Sequence, residues 1–425
     1  MTSAFNPPHR PLAELLAELE TAVRAGNRMR AAQLAQLVAQ RLATEAADRL
    51  KVERRVKDLL RQLDQPLDKT TAPAVPMFGT KDILTRGGTT PTAAATERGD
   101  VVYPVWFGTN RKPQGTSGDG FTGERHREIT RGRVDVYVPA AHRFGETGSS
   151  FWTRLKRRDL RDDHLRIQTR AQLEREVFYA RMQEWLQTHP SEGAQSHALF
   201  FLHGYRTTFD EAAIRAAQLG VDLGAALSAF FSWPSRGSLE GYPADEATIE
   251  ASERAITDFL VEFATQCPAD KLHVIAHSMG NRGLLRALQR IAANAELRGK
   301  VKFGQIFLAA PDVDQDLFLD LARHYGQFAE RTTLYASSGD WPVWLSDKYH
   351  AAPRAGYFEP YTVAPGIDTV AVPDFDIDLL GHSYFAQAEA LLYDIASLME
   401  HGAPVAGRRM PAVVEGSQTF WRLRQ

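Results

Sequence analysis

The chain has 425 residues, 44% hydrophobic and 24% charged, a composition that excludes disordered, collagen-like and disulfide-scaffold classes. Its 50 Lys and Arg against 52 Asp and Glu give a formal charge of -2, which argues against a nucleic-acid binder, whose domains are usually strongly basic. The lone cysteine, Cys267, cannot form an internal disulfide and fits a reducing cytoplasm.

The N-terminus has no basic segment followed by an apolar one. No apolar stretch reaches the ~18 residues of a membrane span. A cytoplasmic protein without a transmembrane segment is the expectation. From Pro11 to about Gln65, apolar residues at helical spacing (Leu12, Leu15, Leu16, Leu19, then Leu34, Leu37, Val38) predict two helices broken at Gly26-Asn27. Residues 1–66 are read as a helical hairpin extension, able to mediate self-association or protein binding. Residues 67–99, rich in Thr, Ala, Pro and Gly, read as a linker.

Two β-branched and aromatic runs follow, Val101 to Thr109 and Arg133 to Ala140, and predict paired edge strands. Phe151 to Leu186 is charged and mostly helical in pattern. From His197 onward short apolar runs alternate with amphipathic stretches, which predicts βαβ units and a mostly parallel sheet. The strands are placed at His197–His203, Leu227–Trp233, Leu272–His277, Phe303–Ala310, Thr332–Ser338 and Asp368–Pro373. Helices fall between them at Asp210–Leu223, Ala247–Thr265, Asn281–Ala293 and Asp314–Tyr325, with a last one from about Ser383 to Glu400. Residues 100–405 form the expected α/β domain and 406–425 a C-terminal tail.

Ala276-His277-Ser278-Met279-Gly280 lies where a strand ends and a helix begins. A serine on such a tight turn needs very small residues two before and two after it. A serine hydroxyl needs an adjacent base, and the base an orienting carboxylate. Asp340 and His382 follow later strands at the same sheet edge, in the order Ser, acid, His. Asp312, after the preceding strand, is the alternative acid. The oxyanion donors are expected at the backbone N–H groups of Met279 and Tyr205, the latter in His203-Gly204-Tyr205-Arg206.

These residues resemble the α/β-hydrolase superfamily. FLHGYRTTFDEA, FFSWPSRGSLEGY, HVIAHSMGNRGLL, LAAPDVD, LYASSGD and LLGHSYF together look like its bacterial esterase/lipase-like branch, domain of unknown function 900. FGTNRKP resembles the branch's opening strand. The resemblance implies a serine hydrolase with Ser278, Asp340 and His382 as its triad, and it supplies no substrate.

An aromatic-rich insertion with Trp341 and Trp344, together with Tyr242 in another loop at the same edge, is expected to wall an acyl pocket. The leading expectation is an acyl ester hydrolase that uses no cofactor and no metal; His273 and His277, four apart on a strand, are ill placed to share one. The alternative is a catalytically silent binding or scaffold protein of the same fold, working through its N-terminal helices. Charge is divided, about +8 over residues 1–184 and about -10 over 185–425. Such a division suggests electrostatic docking of the basic part on the acidic part, on an anionic partner, or peripherally on a membrane surface.

Overall fold

In the computed structural model the described residues are 12–24, 34, 38, 99–115, 120–148, 162–190, 193–237, 242–337, 352–357, 361–372, 385–408 and 410–423. They belong to two units, Met1–Arg98 and Gly99–Gln425. In the first, helix α1 (Leu12–Arg24) buries Leu15, Leu19 and Ala22. The i, i+4 spacing puts Leu15 and Leu19 on one stripe. Leu34 and Val38, also helical, are buried in the same register. The expected break at Gly26-Asn27, the rest of the second helix and the linker lie outside the described residues.

In the second unit, apolar runs form an 11-stranded sheet. In chain order the strands are β1 (Val101–Gln114), β2 (Gly120–Val138), β3 (Arg166–Gln172), β4 (His197–Leu202), β5 (Leu227–Ser232), β6 (Lys271–His277), β7 (Phe303–Ala309), β8 (Ala329–Ser337), β9 (Ile367–Val372), β10 (Ala412–Glu415) and β11 (Gln418–Arg422). They lie in the order β10-β11-β9-β8-β7-β6-β4-β5-β1-β2-β3. Every pairing from β11 across to β1 is parallel, and only β1–β2, β2–β3 and β10–β11 are antiparallel. The expected mixed α/β sheet with antiparallel N-terminal strands is therefore present.

The helices that cover it are α2 (Arg175–Thr188), α3 (Phe209–Asp222), α4 (Tyr242–Ala251), α5 (Glu253–Gln266), α6 (Gly280–Ala293), α7 (Gln315–Leu321) and α8 (Phe385–His401). β4 shows why its run is continuously apolar. Phe200 and Leu202 join Phe259, Leu284 and Leu288 in one core, while Leu199 and Phe201 join Phe209, Ala216 and Leu391 in the other. Alternate residues of a strand point to opposite faces, so a sheet covered on both sides leaves no polar face.

Three elements differ from expectation. Within the segment expected to be mostly helical, Arg166–Gln172 is strand β3, paired with β2; its charges mask a two-residue alternation on an edge strand. The helix expected at Ala247–Thr265 is two helices, α4 and α5, separated at Ser252, whose hydroxyl donates to Thr248 O at 2.8 Å. Such back-bonding competes with the helical ladder. The stretch Asp314–Tyr325 is α7, capped by Asp314 through Leu317 N–H, followed by a 3-10 turn over Ala322–His324.

At the opposite edge of the sheet from the strand ends that carry Ser278, two histidines pair. Gln305 N–H donates to His273 Nδ1 at 3.1 Å, so the His273 proton sits on Nε2 and is shared with His197 Nδ1 at 2.9 Å. Burial pushes His273 down to about 3, and lowers His197 as well. His203, beside the candidate site, is likewise pushed down to about 3 by burial. The unfolded chain binds these protons first, so their stabilising contribution is complete above about pH 6.5 and is lost as pH falls towards the folded values. Denaturant titrations should give a stability lower by ~2 kcal/mol for each of His203 and His273 at about pH 5 than at about pH 6.5. A His273→Asn variant should lose its share of that slope.

Candidate active site

Ser278 and Met279 make the turn between the end of β6 at His277 and the start of α6 at Gly280. Ser278 has φ 47°, a left-handed backbone that costs a residue with a Cβ ~1–2 kcal/mol. Its surroundings hold it there. Ser278 N–H donates to Ala309 O at 2.9 Å, and Ser278 O accepts from Asn281 N–H at 3.1 Å and Asp312 N–H at 3.2 Å. Asn281 Nδ2 donates to Ala276 O and Ser278 O, bracing both sides of the turn.

The need for small neighbours is also geometric. A Cβ on Gly280 would lie 2.6 Å from both Leu202 O and His203 O, and one on Gly204 would lie 3.0 Å from Ser278 Cβ. The β4 loop is thus pressed directly against the serine. Ser278 is 4% exposed and stands at the N-terminus of α6, where the helix dipole favours negative charge.

The loop that carries Gly204 and Tyr205 is held from beneath. Arg111, 1% exposed, donates through Nε to Ser232 Oγ at 2.8 Å, through Nη1 to Ser235 O at 2.9 Å and through Nη2 to Thr207 O at 2.7 Å. The Ser232 hydroxyl then faces His203 Nε2 at 3.3 Å, and His203 Nδ1 donates to Gly204 O at 2.8 Å. His203 stacks on Trp233, whose indole N–H donates to His203 O at 2.8 Å. Burial pushes Arg111 down to about 10. That still leaves it a cation at neutral pH. Asp245 fastens the same loops from the other side, accepting from Arg206 N–H, Arg236 N–H and the Ser235 hydroxyl; burial raises its carboxyl.

Asp312, also buried, sits in a separate cluster. Its Oδ2 accepts from the Tyr242 hydroxyl at 2.6 Å and its Oδ1 from Arg282 Nη2 at 3.2 Å. Arg282 also donates to Tyr242 Oη at 2.9 Å and forms an ion pair with Glu246. These carboxylates and the tyrosine hold Arg282 above its usual range, against the opposing effect of burial.

The structure thus brings Ser278, Met279, Gly204 and Tyr205 to one edge of the sheet. Tyr242 is buried against Asp312, with its ring edge-on to Tyr205 at 5.3 Å between centroids. Asp340, Trp341, Trp344 and His382 lie outside the described residues. Three contributors to the site carry no motif of their own: Asn281, Arg111 and the strained Ala310, at φ 43°. A polar residue in the first turn after the serine, and an arginine following an apolar strand, were the available signals.

The sequence pattern of the family described as alpha/beta hydrolase of unknown function (DUF900) matches residues 179–400. An uncharacterized protein of Nostoc sp. is 28% identical over 104 residues, covering 20% of this chain and 27% of that relative. This chain therefore spans about a quarter of the curated relative it matches. A crystal structure of an uncharacterized protein from Bacillus cereus aligns over 54% of this chain and 69% of that one, with 12% identity and a TM-score of 0.32.

Proposed function

Because the chain belongs to the family of alpha/beta hydrolases of unknown function (DUF900), we propose that it is a serine ester hydrolase working through an acyl-enzyme. Ser278 is the nucleophile, His382 the base and Asp340 the residue that orients it. His382 accepts the Ser278 proton as Oγ attacks the acyl carbonyl, and the oxyanion lies between the N–H groups of Met279 and Tyr205. The protonated His382 gives its proton to the leaving alcohol, and water repeats the sequence to release the acid.

The observation that carries this reading is the left-handed backbone of Ser278, φ 47°, on a strand–turn–helix where neither flanking position admits bulk. Strain of this kind on a non-glycine residue persists where a side chain must be aimed. The engagement of both Asp312 oxygens by Tyr242 and Arg282 supports Asp340 as the acid.

An acyl-enzyme predicts a specific kinetic behaviour. Esters that share an acyl group but differ in alcohol should partition between water and added methanol in one constant ratio, because all pass through the same intermediate. A ratio that changes with the alcohol would contradict the proposal.

A further inference from the structure

We propose that a cavity of about 360 Å³ between α4, α6, α7 and the segment at Arg354 receives the part of the substrate remote from the scissile bond, and that this part is neutral, mostly apolar and carries one hydrogen-bond acceptor. The proposal rests on the hydrolase reading above, and it names the substrate class for that site. The cavity begins beside the elbow. Arg282, on its wall, stands one helical turn, ~5.4 Å of rise, beyond Ser278, and Val313 follows Asp312, whose N–H donates to Ser278 O.

The body of the ligand follows from the floor, which is Ile249, Leu285, Val313 and Leu317. The acceptor follows from Arg354. This arginine is 4% exposed, yet its Nε and Nη2 make no hydrogen bond. Asp312 Oδ1, 3.6 Å from Nε, is within ion-pair range but too far for a hydrogen bond. Arg354 is also fixed in place. Gln315 N–H donates to Pro353 O, Ala355 N–H to Val313 O and Gly356 N–H to Pro311 O, each at 2.8–2.9 Å, and a Cβ on Gly356 would lie 2.3 Å from the backbone at Ala310-Pro311. Unmet buried donors favour a ligand that brings an acceptor to them.

The absence of charge follows from the balance of the wall. Arg282 and Arg354 face Asp312 and Glu246, two cations against two anions. The rim adds Glu250, while Glu253 is matched by Arg290. A carboxylate entering here would meet no net positive charge. A ketone, ester or amide oxygen would satisfy Arg354 without that penalty.

Binding can be separated from turnover by using Ser278→Ala and unreactive probes, with affinities measured by ligand-observed NMR. We expect 2-octanone to bind at least about tenfold more tightly than octanoate. Arg354→Met should weaken 2-octanone about tenfold, and Leu317→Trp, which fills the cavity from a surface helix, should abolish its binding. Equal affinity for ketone and carboxylate, or ketone binding indifferent to Leu317→Trp, would overturn the inference. If Ser278 of the wild type still reacts with a fluorophosphonate in that case, the pocket assignment fails while the hydrolase reading stands. Ketone binding with the predicted selectivity in a protein whose Ser278 does not react would overturn the assignment of the cavity to a substrate.

Discussion

Ser278→Ala is expected to lower ester hydrolysis by ~10,000-fold or more while moving the unfolding midpoint little. The activity loss follows from the triad acting as a unit. Without the nucleophile no acyl-enzyme forms, and the base and oxyanion donors retain only a residual effect. Removing His382 from the Ser278→Ala protein should therefore cost almost nothing further. Stability is spared because the turn is held by backbone groups and by Asn281, not by the hydroxyl: Ser278 N–H and O keep their partners at Ala309, Asn281 and Asp312. Alanine has a Cβ like serine and bears the same left-handed strain. Kinetics on a short acyl ester together with a denaturant titration check both halves. Activity within tenfold of the wild type would remove Ser278 from the mechanism.

Arg111→Met is expected to be the most damaging change away from the serine, destabilising the fold by ~3 kcal/mol and lowering kcat more than KM. The guanidinium serves Ser232 Oγ, Ser235 O and Thr207 O at once. Its removal leaves those acceptors buried and unmet at ~1–3 kcal/mol each. The total is partly offset because a cation no longer has to be buried, a cost visible in the depression of Arg111 to about 10. The kinetic effect has a separate origin. Ser232 faces His203, and His203 holds Gly204 O, so the loop with the Tyr205 N–H loses its support. A merely structural role would lower the amount of folded enzyme and leave kcat per folded molecule unchanged. Arg111→Lys should recover part of the stability, since one ammonium cannot reach all the acceptors served by the planar fork.

Much of this architecture was legible in the sequence because the relevant signals are local. Continuous apolar runs such as His197–Leu202 report a sheet covered on both faces. The small-x-Ser-x-small pentapeptide reports a turn whose crowding is now explicit in the contacts that Gly280 and Gly204 would make. Charge hid β3, because Arg166 and Arg170 on an edge strand are as compatible with a solvated helix face as with a strand. The break between α4 and α5 was hidden too, since Ser252 ends one helix through a hydrogen bond that has no composition signature. Long-range polar work was least visible. Nothing near Arg111 in sequence marks it as the support of a loop that begins after residue 203, and nothing near Arg354 marks it as an unmet donor on a cavity wall. Tyr242 shows the same limit. An aromatic at the right sheet edge suggests a pocket wall, whereas its hydroxyl is committed to Asp312 and Arg282.

The central claim is that Ser278 is an activated nucleophile, and covalent labelling tests it most directly. Native protein treated with a fluorophosphonate, then analysed by intact mass and peptide mapping, should gain one adduct, located on the peptide that contains Ser278, and Ser278→Ala should gain none. Folded protein that hydrolyses esters yet takes up no label, or takes it up at another residue, would contradict the account.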